Sequence, residues 1–365
     1  MSQIAKHFAP GWFAAVMGTA VIAVAIFVFR QYLPFAAVLQ RFFLGTAVLL
    51  FTLLLIPWLW RWLRYRQYAV ADLRNPVSAA FFPTMPISLL VIGVALEKTP
   101  LSILPEAARW GILQALWLAG AAGILIFALL ILSVFFRQPE IKWESSTLGW
   151  LIPPVSALLV PVLGASLATH YATSGWGMIN LVGSLLFLGI GSVLFLAVLA
   201  VVLTRYIFYA LPPVHLTPTL WVGIAPTSIL AILALRWVTP LQKLLGWSDT
   251  TAATLNALAL PVAIALWGFA FFWLLLAMGM TWQTKRTLTL PFALSWWAFV
   301  FPTGAFAVST GVVYQALPTA FFLVTGLGAL LLVLLLWLIT LLRTLRGIRS
   351  GALFAPHAPA PAAQR

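Results

Sequence analysis

Long apolar stretches alternate with short polar ones along the whole chain. A helix needs roughly 20 apolar residues to cross the hydrocarbon core of a bilayer. Backbone groups have no water to bond in lipid, so such stretches are predicted to be helices, and the alternating pattern of barrel strands is absent. The pattern therefore predicts an all-α integral membrane protein with ten transmembrane helices, at approximately 10–29, 35–60, 80–97, 110–136, 150–169, 177–204, 218–238, 255–281, 291–313 and 318–342.

A proline recurs near the start of every odd-numbered stretch, at intervals of 73, 70, 73 and 76 residues: Pro10, Pro83, Pro153, Pro226 and Pro302. A proline inside a helix removes a backbone hydrogen bond and kinks the helix, which a membrane tolerates where the freed carbonyl meets protein or water. The even-numbered stretches are longer and more apolar. We predict five helical hairpins around a central pore, with the odd helices inside and the even helices facing lipid.

The small and hydroxyl-bearing residues around these prolines are candidates for pore lining, and the prolines for helix kinks. Serine and threonine hydroxyls in membrane helices also bond their own backbone, and that alternative stays open at each position. The candidates are Gly18, Thr19, Pro83, Thr84, Pro153, Ser156, Pro226, Thr227, Pro302 and Thr303.

Composition supports the membrane assignment, because 63% of the residues are hydrophobic and only 7% are charged. With the N-terminus in the cytoplasm, 14 of the 20 Lys and Arg residues fall in cytoplasmic segments. The positive-inside rule then predicts both termini in the cytoplasm of a multi-pass protein in the cell inner (plasma) membrane. The net charge of +14 reflects orientation and contact with lipid head groups, and we expect no nucleic-acid partner.

Charged and titratable side chains avoid the centres of the predicted helices. All six acidic residues and all four histidines lie in loops or at the ends of stretches. Coupled carriers commonly keep such groups at membrane depth, so passive transport is favoured. Without carboxylates at depth, and with hydroxyls along the path and basic residues at its mouths, we expect a small anionic solute. Arg41, six residues into the second stretch, either snorkels to the outer surface or draws anions to the outer mouth.

The sequence contains no cysteine, no Walker-type loop and no zinc-helix motif. We therefore expect no cofactor, no metal site and no enzyme activity. A proton-linked C4-dicarboxylate carrier and, from another class, a membrane-embedded enzyme or scaffold are the alternatives. We interpret residues 1–349 as one transmembrane domain and residues 350–365, rich in Ala and Pro, as a disordered cytoplasmic tail.

Three segments resemble the tellurite-resistance/dicarboxylate transporter family, which includes malate permeases, sulfite efflux pumps, bacterial tellurite-resistance proteins and plant slow anion channels. The most specific is the ninth stretch, with paired tryptophans before an aromatic-x-Phe-Pro. The three segments are PGWFAAVMGT at 10–19, PTLWVGIAP at 218–226 and WWAFVFPTG at 296–304.

This resemblance implies a homotrimer with one pore per subunit, carrying small anions such as malate, sulfite or an inorganic anion. It also implies a phenylalanine gate, and the matching position here is Phe301. Phe299 lies roughly 200° away around the helix, so we expect its ring to face packing instead.

Overall fold

The structure, a computed structural model, describes residues 2–354. In that part of the chain ten helices are long and apolar enough to cross a membrane, which confirms the all-α membrane fold. We name these spans α1 to α10: Pro10–Val28, Ala36–Arg64, Pro76–Lys98, Glu106–Phe136, Leu148–His170, Gly175–Phe208, Val214–Arg236, Asp249–Thr287, Leu294–Ala316 and Ala320–Arg349.

Three short α-helices lie outside the spans in the described chain, at Ser2–Lys6, Arg66–Arg74 and Val238–Leu245. The last of these occupies the long α7–α8 connection. We call the face of the bundle at which α1 begins and α10 ends the terminal face, and the opposite one the distal face.

Odd and even spans differ sharply in burial. In the most apolar window of each odd span, 83–94% of the residues are buried inside the protein, against 17–33% in the even spans. Small side chains let the odd helices approach each other closely, whereas the Leu-rich even helices present apolar side chains outwards. The odd spans therefore form the interior and the even spans the lipid-facing surface.

Contacts between the spans follow a regular order. Each odd span packs against the even span that comes after it in the chain. The odd spans also pack against one another in the cyclic order α1, α3, α5, α7, α9 and back to α1. Because the odd spans alternate with even ones, they all run in the same direction. Their first turns accordingly lie together at the terminal face.

Four odd spans begin with 3₁₀ turns before the α-helix starts; α3 begins with a short helix and turn. The repeated prolines lie at these starts. Pro83 immediately precedes the helix Thr84–Lys98, Pro153 is the second residue of Ile152–His170, and Pro302 is the third residue of Val300–Ala316. A proline in the first turn lacks only an N–H that has no intrahelical partner there. These three prolines therefore lie where the α-helical part of each span begins.

Glycines bring α1 and α9 into close contact. A Cβ on Gly304 would lie 2.4 Å from a methyl of Val21, and one on Gly311 would lie 2.1 Å from a methyl of Val28. An added methyl group at either glycine would therefore fit only if the neighbouring side chain or helix shifted. This seam joins the first and last odd spans.

The start of the C-terminal tail is ordered, contrary to the predicted boundary at residue 350. Ala352–Phe354 forms a 3₁₀ turn, and the Phe354 ring stacks on Trp12 at 5.6 Å between centroids with a 15° interplanar angle. The rest of the predicted tail, 355–365, lies outside the described residues.

Candidate functional site

A small cavity lies inside the ring, where all five odd spans meet. Its walls come from residues well inside these spans, including Met17 of α1, Thr84 of α3, Val155 of α5, Ala225 of α7 and Phe301 of α9. The gate candidate Phe301 therefore borders this cavity, next to Pro302.

The central cavity is too small for an anion with its water shell. Its volume is about 30 Å³, and a single water in the liquid occupies roughly that much space. Beyond Phe301, the α9 residues Pro302 to Val313 are all buried. A narrow apolar constriction excludes ions both by size and by dewetting. The central cavity therefore admits no hydrated anion in this structure.

Phe299 and Phe301 point to different surroundings. The Phe299 ring makes edge-to-face contacts with Trp221 at 5.1 Å and Trp296 at 5.6 Å. Phe301 instead faces the central cavity and is 4% exposed. Two residues of helical spacing thus place Phe299 among tryptophan rings and Phe301 beside the cavity.

Most of the predicted pore hydroxyls bond to nearby backbone. Thr303 donates to Phe299 O at 2.6 Å, and Ser156 donates to Pro153 O in the first turn of its helix. Thr84 bonds both Phe81 O and Pro10 O while also lining the central cavity. Of these three, only Thr84 is both hydrogen-bonded to an adjacent span and in the cavity wall.

Thr19 and Gly18 lie at helix interfaces, away from the path. Thr19 donates to Ala15 O at 2.7 Å and accepts the indole N–H of Trp337. A Cβ on Gly18 would lie 3.2 Å from the Val300 side chain. Neither residue is among those that line the central cavity. Their small size serves contacts of α1 with α9 and α10.

The remaining candidates divide between the interior and the outer surface. Pro153 lines an apolar groove with Phe135 and Val198 of the even spans and is not among the lining residues of the central cavity. Within α3, Pro83 immediately precedes the α-helix Thr84–Lys98, and within α7, Pro226 is the third residue of the α-helix Ile224–Arg236.

Thr227 carries a buried hydroxyl without a hydrogen-bond partner, 4% exposed. The same holds for Ser228, which the sequence analysis did not single out and which is fully buried. Adjacent unsatisfied hydroxyls in an interior helix are costly and uncommon. The α7 helix therefore keeps two adjacent unpaired hydroxyls in the protein interior.

A much larger cavity, about 950 Å³, opens at the distal face. We call it the distal vestibule. Its charged lining residues are Arg236, Lys243 and Glu97, and Glu97 also pairs with Lys98 outside the cavity wall. The His170 ring lies in the same wall and stacks on Trp110 at 3.9 Å. Hydroxyl and amide side chains complete a polar basin with more positive than negative groups.

Arg41 is not part of this vestibule. It is exposed on α2, one of the lipid-facing spans, which fits snorkelling to the nearby surface. The cations that do face the vestibule are Arg236 and Lys243, which lie at a helix end and in a connection that only folding brings together.

Within the described spans, acidic and histidine side chains lie only near the ends. Glu97, Glu106, Asp249 and the two span histidines, His170 and His215, all lie within two residues of a span terminus. No group of three or more His, Asp or Glu side chains that could hold a metal ion occurs among residues 2–354.

Comparison with known proteins gives one family. The profile of the voltage-dependent anion channel family (SLAC1) matches residues 7–345. A transporter of Methanocaldococcus jannaschii without an assigned substrate is 32% identical, and the match covers 97% of each chain. A sulfite efflux pump of Arthroderma benhamiae is 22% identical over 92% of this chain and 89% of its own. A malic acid transport protein of Schizosaccharomyces pombe is 22% identical over 76% of this chain and 64% of its own.

Proposed function

This chain belongs to the voltage-dependent anion channel family, and we propose that it lets small anions pass passively through the centre of its ring of odd spans, with Phe301 as the gate. The family consists of transporters and channels, so the chain is an anion transporter and not an enzyme. The passive mechanism, the gate and the choice of anion are the proposed parts.

The observation that carries the proposal is the meeting of all five odd spans around one cavity bounded by Phe301. An aromatic ring at the narrowest part of an apolar constriction blocks hydrated ions without any charge.

Passive transport is supported by the position of the titratable groups. A coupled carrier needs a group that exchanges a proton or ligates a cation at membrane depth. The described spans hold Asp, Glu and His only within two residues of their ends. The interior offers hydroxyls such as those of Thr227 and Ser228, which can bond an anion but cannot relay a proton by titration near neutral pH.

Selection for anions is supported at the distal vestibule. Arg236 and Lys243 face this basin beside one carboxylate, Glu97, and a concave site with an excess of one sign of charge raises the local concentration of the opposite sign. The names of the relatives point to sulfite and malate as cargo. We propose a small oxyanion or a C4-dicarboxylate for this chain, with inorganic anions such as nitrate or chloride to be tested beside them.

The proposal also includes the setting of the protein. The start of α1 and the end of α10 lie at the basic terminal face, which we place in the cytoplasm of a cell inner membrane by the positive-inside rule. The family resemblance implies three copies, each with its own path. The molar mass of the purified protein, measured by light scattering with the detergent subtracted, distinguishes a trimer from a monomer.

Flux into proteoliposomes tests the function. Malate, sulfite, nitrate and chloride are offered one at a time, with and without an imposed proton gradient. Passive transport predicts uptake of at least one anion without the gradient. Uptake of nitrate or chloride that strictly requires a proton gradient would favour the proton-linked carrier, because the charge of these anions does not change with pH.

The gate is tested by Phe301→Ala in the same vesicles. Removing the ring should raise anion flux by an order of magnitude or more, since the constriction then admits water. Phe306→Ala is the matched control, because Phe306 lies on the same helix but packs against Trp267 and Phe271. If folded Phe301→Ala and the wild type show equal flux, Phe301 is not the gate.

A further inference from the structure

A second large cavity lies at the terminal face, away from the ring axis. It has a volume of about 770 Å³ and is bounded by the ends of α8 and α10 and the first turns of α7 and α9. We call it the basic crevice. It opens on the side where the lipid-facing spans meet the polar surface, so the transport path does not pass through it.

Three cations face the basic crevice: Lys285 and Arg286 of α8 and Arg343 of α10. No Asp or Glu is among its lining residues. Within residues 2–354 the only ion pairs are Arg61–Asp72 and Lys98–Glu97, so none of these three cations is neutralised by a carboxylate. Three uncompensated positive charges around one cavity create a strong local attraction for an anion.

Two of the cations are oriented by tryptophan rings. The Arg343 guanidinium lies 4.8 Å from the centroid of Trp296, and that of Arg286 lies 4.7 Å from the centroid of Trp282. A cation held over an aromatic face loses less freedom when it binds a ligand. The planar guanidinium fork also matches the oxygens of a phosphate.

The crevice wall contains an unsatisfied hydroxyl. Thr340 is fully buried, its side chain lines the crevice, and its Oγ1 has no hydrogen-bond partner. A buried hydroxyl normally finds an acceptor, and leaving it without one costs about 1–3 kcal/mol. An acceptor oxygen supplied by a bound molecule would satisfy it.

The walls beside these polar groups are apolar and continue along the membrane-facing surface. Leu336 and Ile339 line the crevice, and Leu335, Leu338 and Leu342 of α10 lie exposed next to it. A soluble anion needs only the cations, whereas a lipid also covers apolar surface. Basic pockets between membrane helices at the bilayer surface suit anionic lipid head groups.

We propose that the basic crevice binds an anionic phospholipid. Its phosphate lies among Lys285, Arg286 and Arg343 and accepts the Thr340 hydroxyl, while its acyl chains follow the exposed leucines of α10. The site is independent of the proposed gate, although the crevice wall includes Trp296 and Phe299 at the start of the helix that carries Phe301.

Thermal unfolding in lipid nanodiscs tests the site. The full chain is placed in phosphatidylcholine nanodiscs with increasing fractions of phosphatidylglycerol, which carries the negative charge. Phosphatidylglycerol should raise the Tm of the wild type. The double variant Lys285→Gln/Arg343→Gln should lose at least half of that rise. Arg64→Gln should keep it, because Arg64 also lies over a tryptophan ring at the terminal face but outside the crevice.

Thr340→Val provides a readout that does not depend on charge. Removing the unsatisfied hydroxyl should raise the Tm in phosphatidylcholine alone and reduce the additional rise from phosphatidylglycerol. A purely structural threonine would lower the Tm in both lipids.

Three results would overturn the proposal. One is an equal Tm in the two lipids for the wild type. Another is an equal loss of the lipid effect in Arg64→Gln and in the crevice variant. The third is a Tm rise from inorganic phosphate in detergent as large as that from phosphatidylglycerol, which would make the crevice a site for soluble anions.

Discussion

Trp337 of α10 donates its indole N–H to the hydroxyl of Thr19 in α1, across 2.9 Å and 318 positions of sequence. Two other outer-span tryptophans make the corresponding bond to the next odd span. Trp117 of α4 donates to Val160 O in α5 at 3.0 Å, and Trp267 of α8 donates to Thr310 in α9 at 2.8 Å. Trp337 therefore closes the ring between the last hairpin and the first.

Trp337→Phe keeps an aromatic ring and removes the donor. A buried hydrogen bond contributes about 1 kcal/mol net, so the free energy of unfolding in detergent should fall by about that amount. Anion flux should stay near the wild-type value, because neither Trp337 nor Thr19 lines the central cavity.

A double-mutant cycle with Thr19→Val separates this bond from the packing of the ring. The two changes should couple, since both remove the same hydrogen bond. Additive losses in the free energy of unfolding would mean that the bond does not stabilise the closed ring.

Gly311→Ala should destabilise the protein by about 1–3 kcal/mol, because the new methyl would lie 2.1 Å from Val28 on the facing helix. Gly328→Ala on α10 is the control, since no atom lies within 4 Å of its added Cβ. That variant should keep or raise the Tm. Equal Tm values for the two variants would contradict close packing along the α1–α9 seam.

Lys243→Gln should lower the anion uptake rate from the distal side at low salt, by roughly threefold, because one positive charge leaves the vestibule. The effect should fade at high ionic strength, where exposed charges are screened. Arg41→Gln makes the same change of charge on the exposed surface of α2 and should have little effect. A larger loss of uptake rate in Arg41→Gln than in Lys243→Gln would indicate that Arg41 is the residue that attracts the anions.

Cysteine labelling can locate the closed point, because the chain has no native cysteine. A membrane-impermeant thiol reagent added at the distal face should modify Ser166→Cys in the vestibule. The same reagent should not reach Thr84→Cys in the central cavity unless Phe301→Ala is also present. Labelling of Thr84→Cys from the distal side with Phe301 intact would place the barrier elsewhere.

Apolar length and spacing alone determined the ten spans, since the cost of an unpaired backbone in lipid leaves no alternative to helices. The contrast between small and leucine-rich stretches also separated the buried odd spans from the exposed even ones. Phe301 could be singled out only by resemblance, because one phenylalanine among 26 carries no distinguishing local pattern.

Tertiary structure decided what each polar or special residue does. The proline spacing suggested helix kinks. Whether a proline removes a hydrogen bond depends on where the helix starts, and Pro153 and Pro302 lie in the first turns of their α-helices. Thr19 looked like a pore hydroxyl until Trp337 was placed beside it. The vestibule cations and the basic crevice join side chains from separate spans. A sequence records their charge, but only packing determines which charges share one cavity.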